Sequence, residues 1–311
     1  MAFDGAKYVW INGRMVPWDD AKIHVCSHVL HYGSSVFEGA RCYETPAGPA
    51  VFRLHEHSER LLHSAKIYRM LPEYDAQQLS DAVLETIRAN ELEACYIRPI
   101  VFRGFGSLGV NPSACPVETA IAVWKWGAYL GEEALTDGVD VTISTWNRMA
   151  PNTLPAMAKS GANYMNAQLI NVEARERGFV EGIALAPDGT VSEGSGENIF
   201  VVWRGKILTP PLTAAILPGI TRDTIMTLAS DMGYTVEEQK LPREMLYVAD
   251  EVFFTGSAAE VTPVRSVDRI PVGAGTRGEV TRTLQKAYFD AINGENAAHP
   301  EWLTPVSSAV R

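Results

Sequence analysis

The stretch Ala156-Met-Ala-Lys159-Ser-Gly-Ala-Asn-Tyr164 sets one lysine among small residues, with Gly161 two places on and a helical pattern behind it. No other basic side chain precedes Lys159 until Arg148. Small, tight surroundings strip water from an ammonium and favour the neutral amine, the nucleophile that Schiff-base chemistry needs. The same residues also suit an exposed lysine at a loop-to-helix junction, because most lysines are exposed. The rest of the chain decides between the two.

The chain has 311 residues, enough for two domains, and 46% of them are apolar. Lys plus Arg number 27 and Asp plus Glu 37, a net charge of -10. An acidic surface argues against nucleic acid or an anionic membrane as partner, so an anionic ligand needs a local pocket. Cys26, Cys42, Cys95 and Cys115 are scattered, with no Cys-x-x-Cys, and read as reduced thiols of a cytoplasmic protein. His24-Val-Cys26-Ser-His28 and His55-Glu-His57 with His63 lack repeated ligand spacing, so no metal is expected. No basic segment followed by an apolar run opens the chain, and no stretch approaches the ~20 apolar residues of a span.

Residues 7–16 predict a hairpin about Asn12-Gly13. Residues 28–43 read as loop or strand. Helices are expected over 56–71, with Leu61, Ala65 and Tyr68 as the stripe, and over 77–90, with Leu79, Val83 and Ile87. Strands follow at 96–102 and 119–124. Pro99 suggests an edge or a bulge for the first of these. An interdomain linker is placed at 125–137, separating domains 1–124 and 138–311. After Lys159 a helix runs to about Arg177 with Met165, Leu169 and Val172 on one face. Hairpins turn at Asp188-Gly189 and Arg204-Gly205, a helix starts after Pro218-Gly219, and a strand at 251–255 leads to the turn Gly256-Ser-Ala-Ala-Glu260. A last helix spans about 276–293. The mixture is α+β.

Chemistry around Lys159 would need four further things: a carboxylate for a pyridine nitrogen, a hydroxyl near the ring oxygen, an anion cradle, and a place for a substrate carboxylate. Glu193, in Ser192-Glu-Gly-Ser-Gly-Glu-Asn198, sits where glycines let the backbone approach a ligand. Tyr164 supplies a hydroxyl. Ile220 and Thr221 at a helix start, together with Gly256-Ser257, offer N–H groups to an anion, and Arg60 offers a cation. Tyr96 and Arg98, two apart in a strand, share one face. Each residue also has a plain structural reading: solvated helix face, glycine turn, rim tyrosine.

The order of these pieces resembles that of the class IV (fold-type IV) pyridoxal 5'-phosphate (PLP)-dependent aminotransferases, especially bacterial branched-chain ones. His31-Tyr-Gly-Ser-Ser-Val-Phe-Glu-Gly39, Tyr96-Ile-Arg-Pro99, Ser192 to Asn198, Leu217-Pro-Gly-Ile-Thr-Arg-Asp223 and Ala249 to Gly256 carry the likeness. It implies a D-amino-acid aminotransferase-like fold, with a smaller N-terminal α/β domain and a larger C-terminal pseudo-barrel. It implies Lys159 as the Schiff-base lysine, Glu193 on the pyridine nitrogen and Tyr164 on the ring oxygen. Arg60, Ile220, Thr221 and Ser257 would hold the phosphate, with Leu217 against the ring. Tyr96, with the N–H groups of Ser257 and Ala258, would take the α-carboxylate, and Arg98 the side-chain carboxylate of glutamate. Phe37, Gly39, Trp126, Tyr129 and Tyr164 would wall the side-chain pocket. Tyr32 and Val110 would reach in from a neighbouring subunit of a homodimer or larger homo-oligomer. Position 257 is often threonine in the family. D-amino-acid and (R)-amine aminotransferases, aminodeoxychorismate lyase, and a PLP carrier without turnover are the competing readings.

Overall fold

Asn12 and Gly13 both take left-handed backbone angles (φ 47° and 85°), the conformation of a two-residue hairpin turn. They join β1 (Tyr8–Ile11) to β2 (Arg14–Pro17) in a computed structural model that describes residues 3–127 and 133–306. The chain forms two compact units: 1–127 with 158–162 and 290–311, and 128–157 with 163–289. The first crossing falls in the stretch read as a linker. Lys159 and the chain's last residues nevertheless belong with the first unit, where contiguous reading put them in the second. The reason for the tail is a strand, described below.

In the first unit, α1 (His28–Tyr32) is a single short helix stopped by left-handed Gly33, where loop or strand was expected. Then come β3 (Ser35–Phe37), β4 (Ala40–Thr45), β5 (Gly48–Phe52), α2 (Leu54–Ile67), α3 (Ala76–Asn90), β6 (Cys95–Arg103) and β7 (Val117–Trp124). Asp75 and Gln78 close a reciprocal capping box that fixes the start of α3. The stripes Leu61/Ala65 and Leu79/Val83/Ile87 are buried as expected, beside Val36, Val101, Trp10 and Ile121. The sheet runs β5-β4-β6-β7-β1-β2, with β3 also on β6. Pro99 is therefore not at an edge. β6 pairs along one side with β7 and on the other with β4 over 95–97 and β3 over 100–102. Pro99, which lacks an N–H, sits at the change of partner, and its carbonyl accepts from Glu38 N at 2.8 Å.

In the second unit come α4 (Ala134–Asp137), β8 (Val139–Ile143), α5 (Asn163–Glu176), β9 (Glu181–Leu185), β10 (Val191–Gly194), β11 (Asn198–Trp203) and β12 (Lys206–Thr209). They are followed by α6 (Ile220–Asp231), β13 (Val236–Glu238), α7 (Met245–Val248), β14 (Glu251–Gly256), β15 (Glu260–Val267), β16 (Ile270–Pro271) and α8 (Glu279–Ile292), whose last turn enters the first unit. Its sheet runs β10-β9-β8-β15-β14-β11-β12-β13, with β16 on β15. Ile143, Ile183, Ile199, Val201, Phe254 and Val264 form its core. β15 was hidden by Pro263, a poor central-strand residue. The pairing with β8 begins only at Val264, so the missing N–H removes no bond there. On α5 the apolar face read from Met165, Leu169 and Val172 is exposed, and Asn163, Ala167, Ile170 and Ala174 are buried instead. The buried face packs closely because β9 offers Gly182 there: a Cβ would fall 2.7 Å from Ile170 Cγ2 and 3.4 Å from Ala174 Cβ. Finally β17 (Leu303–Pro305) returns to pair with β5 in the first unit. Among the described residues no helix is long and apolar enough to cross a membrane.

Candidate active site

Lys159 does not open the helix behind it. That helix, α5, starts four residues later, at Asn163. The lysine lies in an extended segment held against β3: Phe37 N donates to Lys159 O at 2.9 Å, and Ser160 bridges to Val36. Lys159 N in turn donates to Ser64 Oγ of α2 at 3.0 Å. Its main chain is thus fixed on both sides, while its Nζ stands 5.1 Å from the centre of the Phe37 ring. An amine over an aromatic face is both oriented and partly desolvated.

Beside it, Arg60 of α2 makes a two-pronged ion pair with Glu38, Nε to Oε1 at 2.7 Å and Nη2 to Oε2 at 2.8 Å. His57 Nδ1, one turn earlier, meets Glu38 Oε2 at 2.7 Å. Glu38 is completely enclosed. Burial pushes its carboxyl up, but the Arg60 guanidinium and His57 outweigh this and hold it well below the usual carboxylate range. Burial also pushes the His57 imidazole below its usual value, against the pull of Glu38. Glu38 lies between Phe37 and Gly39, so the carboxylate that orients Arg60 belongs to the segment expected to wall a pocket.

Tyr96 and Arg98 lie together as their spacing in β6 requires. Arg98 Nη2 donates to Tyr96 Oη at 3.1 Å. The guanidinium lies 4.7 Å from the Phe37 ring centre and 5.2 Å from that of Tyr96. Trp124, absent from the expected set, adds a third ring at 6.0 Å, and Trp126 meets Tyr96 edge-on at 4.4 Å. Arg98 Nε is buried without a hydrogen-bond partner among the described residues. Gly39 is needed here for close approach: a Cβ would sit 2.1 Å from Tyr96 Oη. Tyr129, the other expected wall residue, lies outside the described residues. Tyr32 and Val110 are exposed on one linked surface, since Tyr32 stacks on His28 at 4.5 Å and His28 Nε2 meets Gly109 O at 2.9 Å.

In the second unit Glu193 lies in β10 with its side chain buried. Arg148 Nη2 meets its Oε1 at 2.8 Å. Its Oε2 accepts from Asn198 Nδ2 and from Leu217 N, each at 3.0 Å. Asn198 Nδ2 also donates to Leu217 O at 3.0 Å, so one amide clips the segment before α6 to the glutamate. The clip needs a glycine at 219, where a Cβ would fall 1.9 Å from Asn198 Oδ1. Gly219 caps α6 without a side chain, leaving the N–H groups of Ile220 and buried Thr221 at a positive helix end. Gly256, Ser257 and Ala258 form the half-buried turn between β14 and β15. At its base Thr255 Oγ1 is buried with no hydrogen-bond partner among the described residues. Tyr164 is half-buried on the first turn of α5.

The residues present fit a phosphorylated pyridine aldehyde. The first unit offers a lysine for the aldehyde; the second offers a buried carboxylate for a cationic ring nitrogen, an uncapped helix start for the phosphate and, in Thr255, a buried hydroxyl with no hydrogen-bond partner among the described residues. Sequence reasoning missed Glu38, His57, Arg148, Asn198 and Trp124, all of which hold a named residue. Glu38 and Asn198 lay inside quoted motifs, and Arg148 was the nearest basic residue before Lys159. The four cysteines are unbridged.

A family model described as amino-transferase class IV matches residues 35–267. A branched-chain-amino-acid aminotransferase of Salmonella typhimurium is 53% identical over 304 residues, 97% of this chain and 98% of that one. The crystal structure of the Escherichia coli branched-chain amino acid aminotransferase matches with a TM-score of 0.95 at 52% identity, covering 97% of this chain and 100% of that one. The branched-chain amino acid aminotransferase of Thermobaculum terrenum, in its PLP-form, gives 0.90 at 34% identity, over 97% and 99%.

Proposed function

The chain belongs to the class IV amino-transferases, and from that premise we propose that it transfers amino groups between branched-chain L-amino acids and 2-oxoglutarate with PLP as cofactor. The observation that carries the substrate reading is Arg98, set on Phe37 and hydrogen-bonded to Tyr96. Apolar side chains of leucine, isoleucine and valine lie along the rings, and the side-chain carboxylate of glutamate reaches the guanidinium. Both ligands of a two-substrate exchange are then served by one set of side chains, which includes Trp126 edge-on to Tyr96. The relatives' names support the branched-chain class, and the Thermobaculum terrenum structure, in its PLP-form, supports the cofactor.

Bound PLP supplies an aldehyde that captures amines and a ring that draws electrons from the substrate Cα. Lys159 Nζ would hold that aldehyde and, once freed, would serve as the base for the Cα proton. Glu193 would accept the ring N–H and keep the ring cationic, and Tyr164 would donate to the ring oxygen. Arg60, Ile220, Thr221, Gly256 and Ser257 bind the phosphate, with Leu217 against the ring. Tyr96, Ser257 and Ala258 fix the α-carboxylate. The products are a branched-chain 2-oxo acid and L-glutamate, released in two half-reactions. Tyr32 and Val110 complete the pocket of a second copy, so the working form is at least a homodimer. Its compartment is the cytoplasm, in keeping with four unbridged cysteines.

Visible absorption of the purified protein tests this. L-leucine should remove the cofactor band and D-alanine should not, and 2-oxoglutarate should then restore it. A protein that stays colourless with added PLP refutes the cofactor. Bleaching by D-alanine alone refutes the substrate class.

A further inference from the structure

Arg148 has no part in the reading above, yet it is among the most enclosed cations of the second unit. Its side chain and that of Glu193 are each 7% exposed, and they meet at 2.8 Å. On the other side its Nη1 donates to Asn166 Oδ1 at 3.0 Å. Asn166 lies on α5, two residues beyond Tyr164, and its Nδ2 donates back to Asn147 O at 2.9 Å. The Arg148 main chain is fixed too, its N–H donating to Leu185 O at the end of β9 at 2.8 Å. One guanidinium thus spans the two elements that carry the expected ring contacts: β10 with Glu193 and α5 with Tyr164.

Stability alone is a poor account of this arrangement. A buried ion pair gives little net stabilisation compared with apolar groups of the same volume. Here the guanidinium is also imperfectly served, since Arg148 Nε is buried without a partner among the described residues. A charge kept under those terms is best explained by what it does to its neighbour. A cation beside a carboxylate favours the ionised form, and a carboxylate already held by a backbone N–H and an amide gains a fixed direction as well.

We propose that Arg148 is a positioning residue for the reaction: it holds Glu193 as an aimed carboxylate and ties it to the helix bearing Tyr164. The inference rests on the reading of Glu193 as the partner of the ring nitrogen. Without Arg148 the proton shared between Glu193 and the ring nitrogen moves toward Glu193. The ring then carries less positive charge and draws electrons from Cα less strongly.

The test uses the PLP-loaded enzyme with L-leucine and 2-oxoglutarate. Arg148→Met should lower kcat roughly 10–100-fold, as the loss of partners that orient a working ligand does, with little change in KM. It should also move the pH midpoint of the visible band upward, because a less cationic ring no longer opposes protonation next to it. Arg148→Lys, which keeps the charge, should recover most of both. In a Glu193→Gln background Arg148→Met should change neither. Arg148→Gln carries the same expectation if Arg148→Met does not fold. Wild-type kcat and midpoint in the neutral variants, equal losses for lysine and methionine, or additive losses with Glu193→Gln would each overturn the inference. If Glu193→Gln alone leaves the band and kcat unchanged, it is the reading of Glu193 that fails.

Discussion

Arg60 in the first unit and Glu193 in the second are opposite charges, each kept by a buried counter-ion, and the two clusters are built differently. Arg60 is gripped by both oxygens of Glu38, and His57 closes the cluster. Glu193 touches its cation through one oxygen and gives the other to an amide and a backbone N–H. The first is a charge cluster with matched forks, and rigidity is its evident property. The second sets an ion pair with Arg148 among neutral donors, and Arg148 is a cation through which the charge on Glu193 can be adjusted. A cation meant for a phosphate needs only to be present and still. A carboxylate meant for a ring nitrogen must also keep the right proton affinity.

The largest expected effect lies with the lysine fixed beside the first cluster. Lys159→Ala should lower transamination by at least about a thousandfold, because it removes the amine proposed to take the Cα proton. The residues proposed to bind the phosphate are untouched, so the variant should still retain PLP through gel filtration, though not covalently. Retained turnover overturns the role given to Lys159. The next effect separates the two clusters. Glu38→Gln leaves the Arg60 charge buried without its carboxylate and should cost about 3–5 kcal/mol in urea unfolding. Arg148→Met should cost less, because Glu193 keeps two neutral donors. A reversed order would show that the second cluster, not the first, is the rigid one.

A smaller and more selective effect is expected at Arg98, which we propose serves only one of two substrates. Losing a hydrogen bond to a charged group is worth about 1.5–3 kcal/mol. Arg98→Ala should therefore lower kcat/KM for glutamate and 2-oxoglutarate roughly 10–100-fold, and that for leucine far less. Equal losses for both would remove Arg98 from the specificity device and leave it a packing group on Phe37.

Much of this was legible in the sequence because it is local. Turns at Asn12-Gly13, Asp188-Gly189 and Arg204-Gly205, the stripes of α2 and α3, and the Tyr96/Arg98 face each depend on residues a few places apart. The counter-ions were not legible in the same way. Glu38 and Arg60 are 22 residues apart, and Asn198 and Leu217 are 19 apart. Only the folded sheets bring them together. Lys159 was misplaced by the same limit. Proximity in sequence suggested α5, whereas hydrogen bonds to Phe37 and Ser64 attach it to the first unit. Likewise Met165, Leu169 and Val172 form a valid helical stripe, but Gly182 of β9 receives the side of α5 that carries Ile170 and Ala174.

The subtlest expected effect is on pH dependence, where the sign distinguishes the first cluster from an ordinary ion pair. His57 is held below its usual value by burial, so the folded chain keeps it neutral while an unfolded chain takes up a proton below about pH 6.5. Between that value and its folded one, stability falls as pH falls, by up to about 1.4 kcal/mol per pH unit. Glu38 is also lowered, so its contribution is full above the ~4.3 of an unfolded glutamate and is lost as pH drops further. The two slopes have the same sign and follow one another down the scale. Had the cluster been a simple His⁺–carboxylate pair, the imidazole would be raised and stability would instead grow on acidification through neutrality. His57→Gln, followed by urea unfolding at pH 5, 6 and 7, separates the cases. The variant should lose part of the wild-type fall between pH 6.5 and 5. A steeper fall than wild type would mean that His57 is charged in the folded chain, and that Glu38 balances two cations rather than one.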